Sequence, residues 1–290
     1  MKPAHKKNTR VKDRMKLHLR LYKIGPRTLR VLTPRPGTPV AFSNNYFHDT
    51  WHILTGRRGS RFLARMLWAL SYQKKPGTVF LIDRPFLVSN PFEAERPAPI
   101  ILCNSDLGRP HRKELEQLKQ VIARSRKRPP DGTVRLFSQG LDLIRENGDD
   151  FWEMGPRYND IIWRSETCER VAGFIRYAAP GAILRRAACS IDALDFRYGG
   201  MDYTDIGFYT GRQPAGEVQI FRDFHRRVTL ARQAREYVLA RGKRPGPPSH
   251  EDEFREAVWK RAEHMARKES RVFQSKKRKQ AQKRKHAVQA

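Results

Sequence analysis

Charge is unevenly placed along this chain, and its placement decides where a folded core can lie. Residues 1–40 hold 12 Lys and Arg against one acid, and residues 241–290 hold 16 against six. The stretch between holds 31 against 23. Two ends of +11 and +10 therefore flank a middle of only +8. A strongly cationic segment repels itself and resists compaction unless a polyanion neutralises it. The core must come from the middle.

That middle has the material for one. The chain carries 5 Trp, 9 Tyr and 15 Phe, and each buried aromatic removes roughly 150–250 Å² from water. A hydrophobic content of 39% excludes a collagen-like or disordered acidic scaffold. No apolar run approaches the roughly 18 residues a membrane span needs. The longest candidate, 62–70, is short and interrupted by Arg65. The basic start is followed by no apolar stretch, so it does not read as a secretory signal. Cys103, Cys168 and Cys189 are widely spaced and form no C-x-x-C pair. Three buried free thiols in a reducing compartment is the expectation, cytoplasmic or nucleoid-associated, or nuclear or mitochondrial in a eukaryote.

The expected fold is α+β: a mixed-sheet core with packed helices over 38–241, with a sub-boundary near 128–133. A basic N-terminal arm over 1–37 precedes it. A linker over 242–248 leads to a C-terminal helix with a disordered basic tail over 249–290. Within residues 1–25 a helical stripe (Val11, Met15, Leu19, Tyr22) competes with strand alternation at Leu17, Leu19 and Leu21. Strands are expected at 40–42, 78–88, 100–103 and 133–137. Helices are expected at 45–55, 57–72, 110–127, 160–179 and 216–241. A hairpin is expected over 194–209 about Gly199-Gly200. The last helix opens at Ser249, where Asp252 three residues on resembles a capping box.

Four constellations could carry function. Gly56-Arg57-Arg58-Gly59 falls between two expected helices, in an element order similar to that of KH modules, whose G-x-x-G loop clamps a nucleic-acid backbone. There Arg57, Arg58 and Arg61 would meet phosphates beside free helix-start N–H groups. With 19 glycines in 290 positions, about one such spacing arises by chance, so the competing reading is a corner that needs small residues. His48 and His52, four apart, would share a helix face as a metal pair does, yet no third ligand is readable and no metal site is assigned.

Asp192, Asp195, Asp202 and Asp205 form a carboxylate cluster that, with Asp83 or Asp106, suits a two-metal nuclease. The hairpin register opposes it by giving Asp202 an Arg197 partner. The same region mixes Phe196, Tyr198, Tyr203, Phe208 and Tyr209 with Arg197 and Arg212, a composition suited either to base stacking or to half of a packed sheet. Finally, the expected helix over 216–241 puts Arg222 and Arg226 opposite its apolar stripe, and the tail carries Lys276, Lys277, Arg278, Lys279, Lys283, Arg284 and Lys285. These basic residues, with Arg57, Arg58 and Arg61, are the expected nucleic-acid contacts.

No G-x-x-x-x-G-K-[ST], G-x-G-x-x-G or G-x-S-x-G occurs, so no nucleotide cofactor is expected. The leading expectation is an accessory protein that binds RNA or DNA without chemistry of its own, losing most affinity when 1–25 and 270–290 are deleted. The alternatives are the metal-dependent nuclease, or a structural protein binding an acidic partner or an anionic membrane.

Overall fold

Three short runs present no face to water, and they form the middle of a sheet. Thr78–Ile82, Ile100–Asn104 and Phe174–Ala179 are buried at every position, as strands covered on both sides must be. The computed structural model of the chain describes residues 14–125, 127–147, 165–196, 199–210, 213–242 and 253–269. The strands are β1 Arg14–Ile24, β2 Arg27–Thr33, β3 Phe42–Phe47, β4 Thr50–Thr55, β5 Thr78–Ile82, β6 Ile100–Asn104, β7 Gly132–Phe137, β8 Thr167–Val171, β9 Phe174–Ala179, β10 Met201–Thr210 and β11 Gln213–Phe221. The helices are α1 Arg57–Ser71, α2 Arg112–Arg124, α3 Gln139–Asn147, α4 Gly181–Ala193 and α5 Phe224–Ala240, with α6 over 253–269.

The fold is α+β, built on two mixed sheets. The larger has the order β7-β1-β2-β5-β6-β9-β8, and the smaller the order β10-β11-β4-β3. In the larger sheet β2 and β5 run parallel, as do β6 and β9; the other pairings are antiparallel. Alternation along β5 and β6 sends successive residues to opposite faces. Phe80, Ile82, Ile100 and Leu102 enter one core with Leu63, Met66 and Leu67 of α1 and Ile183, Leu184 and Ala188 of α4. Ile53, Ile206, Val218 and Ile220 of the smaller sheet complete that core. On the other face Val79, Leu81, Ile101 and Cys103 pack with Leu115 and Leu118 of α2.

These elements belong to one compact unit, residues 1–87 and 98–222. A second unit comprises Val88–Pro97 and 223–290. In it Ala234 and Val238 of α5 pack with Phe254 and Val258 of α6. The Asn90 side-chain oxygen accepts the N–H groups of Phe92, Glu93 and Ala94, and Arg235 donates to the Glu93 carbonyl at 2.9 Å.

Several expectations change. The N-terminal basic segment is not an arm from Arg14 onward: 14–24 and 27–33 are sheet strands, so the alternating signal prevails over the helical stripe. Residues 1–13 lie outside the described residues. The helix expected at 45–55 is the β3–β4 hairpin. Its two-residue turn, His48-Asp49, holds φ at 50° and 60°, the mirror-image geometry that matches strand twist. The helix expected at 160–179 is, from 167 on, the β8–β9 hairpin, turning at Ala172-Gly173 with φ of 51° and 82°. The helix expected over 216–241 divides into β11 and α5. Gly199-Gly200 precedes β10, whose partner is β11 rather than 194–198. The linker over 242–248 lies outside the described residues beyond Gly242, and so does the tail from 270.

Candidate nucleic-acid interface

The Gly56–Gly59 motif sits between a strand and a helix. Thr55 ends β4, Gly56 is the extended N-cap of α1 (φ −100°, ψ 177°), and no side chain caps the helix. An acid would normally favour this positive end of the dipole. Arg57 and Arg58 occupy it instead, and α1 contains four Arg and no acid. Gly59 has a packing reason: a Cβ there would stand 1.8 Å from Thr55 Oγ1. Arg58 and Arg61 are exposed. Arg57 is half-buried, and burial and Arg61 push its pKa down while Asp192 and Asp195 oppose them.

Behind this corner three helices are tied by guanidinium–carboxylate pairs. Arg65 of α1 meets Asp142 of α3 at 3.0 Å. Arg145 of α3 reaches both Asp142 at 2.9 Å and Asp192 of α4 at 3.1 Å. Asp142 and Asp192 are buried, so the pairs compensate carboxylates that would otherwise be costly inside a protein.

The carboxylates of the nuclease alternative are spread over separate local roles, and only Asp192 belongs to this network. Asp192 is bound by Arg145. Asp202 accepts the Asp195 backbone N–H at 2.8 Å. Asp205 stands opposite Glu217 in the β10–β11 register. Asp83 lies in the turn after β5, where its carbonyl accepts the Phe86 N–H. Asp106 accepts the Gly181 N–H at 2.8 Å, closing the start of α4. Among the described residues no three His, Cys, Asp or Glu side chains gather as a metal site would require. Asp202 has this backbone partner; Arg197 lies outside the described residues.

His48 and His52 do not share a helix face. His48 is in the hairpin turn, and His52 Nδ1 is 3.0 Å from Asn45 Oδ1 across the strands. Burial pushes the His52 pKa down to about 4. Glu217 Oε2, at 3.7 Å from Nε2, is too distant to hydrogen-bond to it, and it already accepts from Gln219. The three cysteines are buried and free, and burial raises each thiol pKa.

Arg222 and Arg226 are engaged elsewhere. Arg222 donates to the carbonyls of Phe196 and Gly199 at 2.7 and 3.0 Å, with its guanidinium 5.5 Å from the Phe196 ring centre. Arg226 pairs with Glu269 at 3.0 Å. Of the aromatic cluster, Tyr203 is exposed and Phe196 packs against the main core. The side chains of Tyr198, Phe208 and Tyr209 lie outside the described residues, as do Lys276, Lys277, Arg278, Lys279, Lys283, Arg284 and Lys285.

The structure adds a surface that the sequence reading missed, at the β7 edge of the larger sheet. Lys16 of β1 stands directly opposite Arg135 of β7. Both are exposed, and neither has a hydrogen-bonding or ionic partner among the described residues. Like charges facing one another across strands are destabilising. Two steps along the register Arg14, from which the basic residues 1–13 continue, pairs with Phe137. Phe137 is 65% exposed. It borders a groove of about 450 Å³ whose other walls include Trp68 and Tyr72 from the end of α1 and Gly140 from α3. No acid lines it. Gly140 lies against the Trp68 ring, 2.7 Å from Cζ2 for a Cβ placed there. Tyr72 is 55% exposed, its ring 5.6 Å from Trp68 and 5.2 Å from the Arg185 guanidinium.

Comparison of the chain with protein-family models, curated proteins and solved structures finds no match. Among the described residues no helix is long and apolar enough to cross a membrane.

Proposed function

We propose that this protein binds nucleic acid, RNA or DNA, through contacts to the phosphate backbone, and acts as an accessory factor without chemistry of its own. The observation that carries this reading is the placement of charge: a formal net charge of +29, of which +21 lies in residues 1–40 and 241–290. Lys and Arg side chains that neutralise phosphates release the cations condensed on the nucleic acid, which makes binding favourable and sensitive to salt. The folded unit supports the reading with cations that have no acid partner among the described residues. Arg58 and Arg61 stand exposed on an α1 that bears no acid, and Lys16 faces Arg135.

The nuclease alternative gains no observation of its own: Asp192 holds a guanidinium group, Asp106 and Asp202 hold backbone N–H groups, and among the described residues no three acidic, His or Cys side chains gather as a metal site would require. The test is fluorescence anisotropy of labelled single strands and duplexes across a salt series, with Mg²⁺ present and the nucleic acid recovered afterwards. The expected result is an affinity that falls linearly in log–log form with salt, and full-length nucleic acid at the end. Absence of binding at low salt would end this reading, and metal-dependent cleavage would replace it with the nuclease.

A further inference from the structure

We propose that the β7 edge and the adjoining end of α1 form a binding site for single-stranded nucleic acid, in which unpaired bases stack on Tyr72 and Phe137 while Arg135 in the groove wall meets the intervening phosphates. This rests on the nucleic-acid reading and narrows it to one substrate class.

Tyr72 and Phe137 are 55% and 65% exposed and border one groove. Trp68, buried behind them with its ring tilted 59° to Tyr72, gives the groove a rigid aromatic floor. Gly140 keeps that floor in place, because any side chain at 140 would strike the indole.

The charge around the rings identifies the occupant. An apolar protein segment would meet an apolar rim. Here Arg135 forms part of the groove wall, Arg185 stands over Tyr72, and Lys74 and Lys75 extend exposed from the end of α1. Flat apolar rings interleaved with unpaired cations match a polymer of π-faced bases joined by phosphates. Base–aromatic stacking tolerates any sequence, and it needs bases that are not already paired. A duplex, whose bases stack on one another, offers only its phosphates to such a surface. At about 450 Å³ the groove is within the size range of small-molecule sites, with space for one or two bases.

The test compares labelled oligo(dT) and oligo(U) with a duplex of equal length, using the full chain, the double variant Tyr72→Ala/Phe137→Ala, and the aromatic replacements Tyr72→Phe and Phe137→Tyr. Both rings are exposed, so the alanine variants should keep the fold, which a thermal melt of each variant verifies. The expected result is a single-strand affinity reduced by about 5- to 150-fold per ring lost. Duplex binding should be nearly unchanged, and the aromatic replacements should retain binding. Oligonucleotides carrying 5-iodouracil should photocrosslink to Tyr72 or Phe137. The arms with dT and U separate a DNA from an RNA preference.

Unchanged single-strand affinity in the double alanine variant overturns the proposal, as does an equal loss on duplex. In either case salt-dependent binding by the full chain leaves the wider reading standing. Failure of the full chain to bind any of the three ligands removes both. Should the double variant melt early, Phe137→Ala alone, at the more exposed ring, decides by the same single-strand to duplex ratio.

Discussion

Gly59 stands so close to Thr55 that no other residue fits without movement: a Cβ on Gly59 would lie 1.8 Å from the Thr55 hydroxyl oxygen and 3.0 Å from Thr55 Cβ. The second glycine of the G-x-x-G corner therefore lets the first turn of α1 lie on the last residue of β4. Thr55 is held in turn by its hydroxyl, which donates to the Ala41 carbonyl at 2.7 Å. Gly59→Ala is expected to lower stability by about 1–3 kcal/mol, as overpacking of a core does. Urea unfolding measures it. The paired change Gly59→Ala/Thr55→Ala should recover part of the loss. If Gly59→Ala is neutral, the close approach is not what the glycine serves.

The Arg145–Asp192 pair should behave as a coupled unit. Asp192 is 4% exposed, so removing its partner strands a carboxylate. Fully buried pairs lose about 3–5 kcal/mol when one member is deleted, but Arg145 is itself partly exposed, so about 2 kcal/mol is the expectation for Arg145→Ala. Replacing both, as Arg145→Met/Asp192→Leu, should cost less than the two single changes added together. A double-mutant cycle by denaturant unfolding reads this coupling; strict additivity would show that the two groups act independently.

His52 predicts a pH dependence whose sign is fixed by burial. Its folded pKa of about 4 lies below the ordinary value near 6.5, so the unfolded chain takes up the proton first. The contribution to stability is whole above pH 6.5 and is lost as pH falls toward 4, with a slope of at most about 1.4 kcal/mol per pH unit. His52→Gln should flatten stability in that window relative to the unaltered protein. Parallel stability curves for the two proteins would show that another group governs the acid side.

Parts of the fold were legible because one signal dominated locally. Val79–Ile82 and Ile100–Cys103 are uninterrupted apolar runs, and Leu115, Leu118 and Ile122 form a helical stripe stopped by Pro129-Pro130; β5, β6 and α2 follow from them. The hairpins were not legible for a specific reason. His48-Asp49 and Ala172-Gly173 hold positive φ at three residues other than glycine, which lack the usual Asn-Gly or Gly-Gly signature. The apolar residues around them, such as Tyr46, Trp51, Ile53 and Leu54, also fit a helical face. For Lys16 and Arg135 the limit is distance along the chain. Alternation puts Arg135 and Phe137 on one face of a strand, but nothing local says that β7 pairs with a segment more than 100 residues earlier. β1 also makes a deletion through residue 25 unsuitable as a test of the basic end, since it would remove an interior strand of the sheet.

The central claim is that cationic ends grip phosphates, and charge removal in the intact chain tests it most directly. The measurement is the salt dependence of duplex binding for the natural protein and for a variant with Lys276, Lys277, Arg278, Lys279, Lys283, Arg284 and Lys285 replaced by Gln. Each phosphate contact contributes about 0.9 to the log–log slope, so the account predicts a slope shallower by up to about 6 and a weaker affinity at every salt concentration. A variant that binds with the same slope and affinity as the natural protein would contradict it.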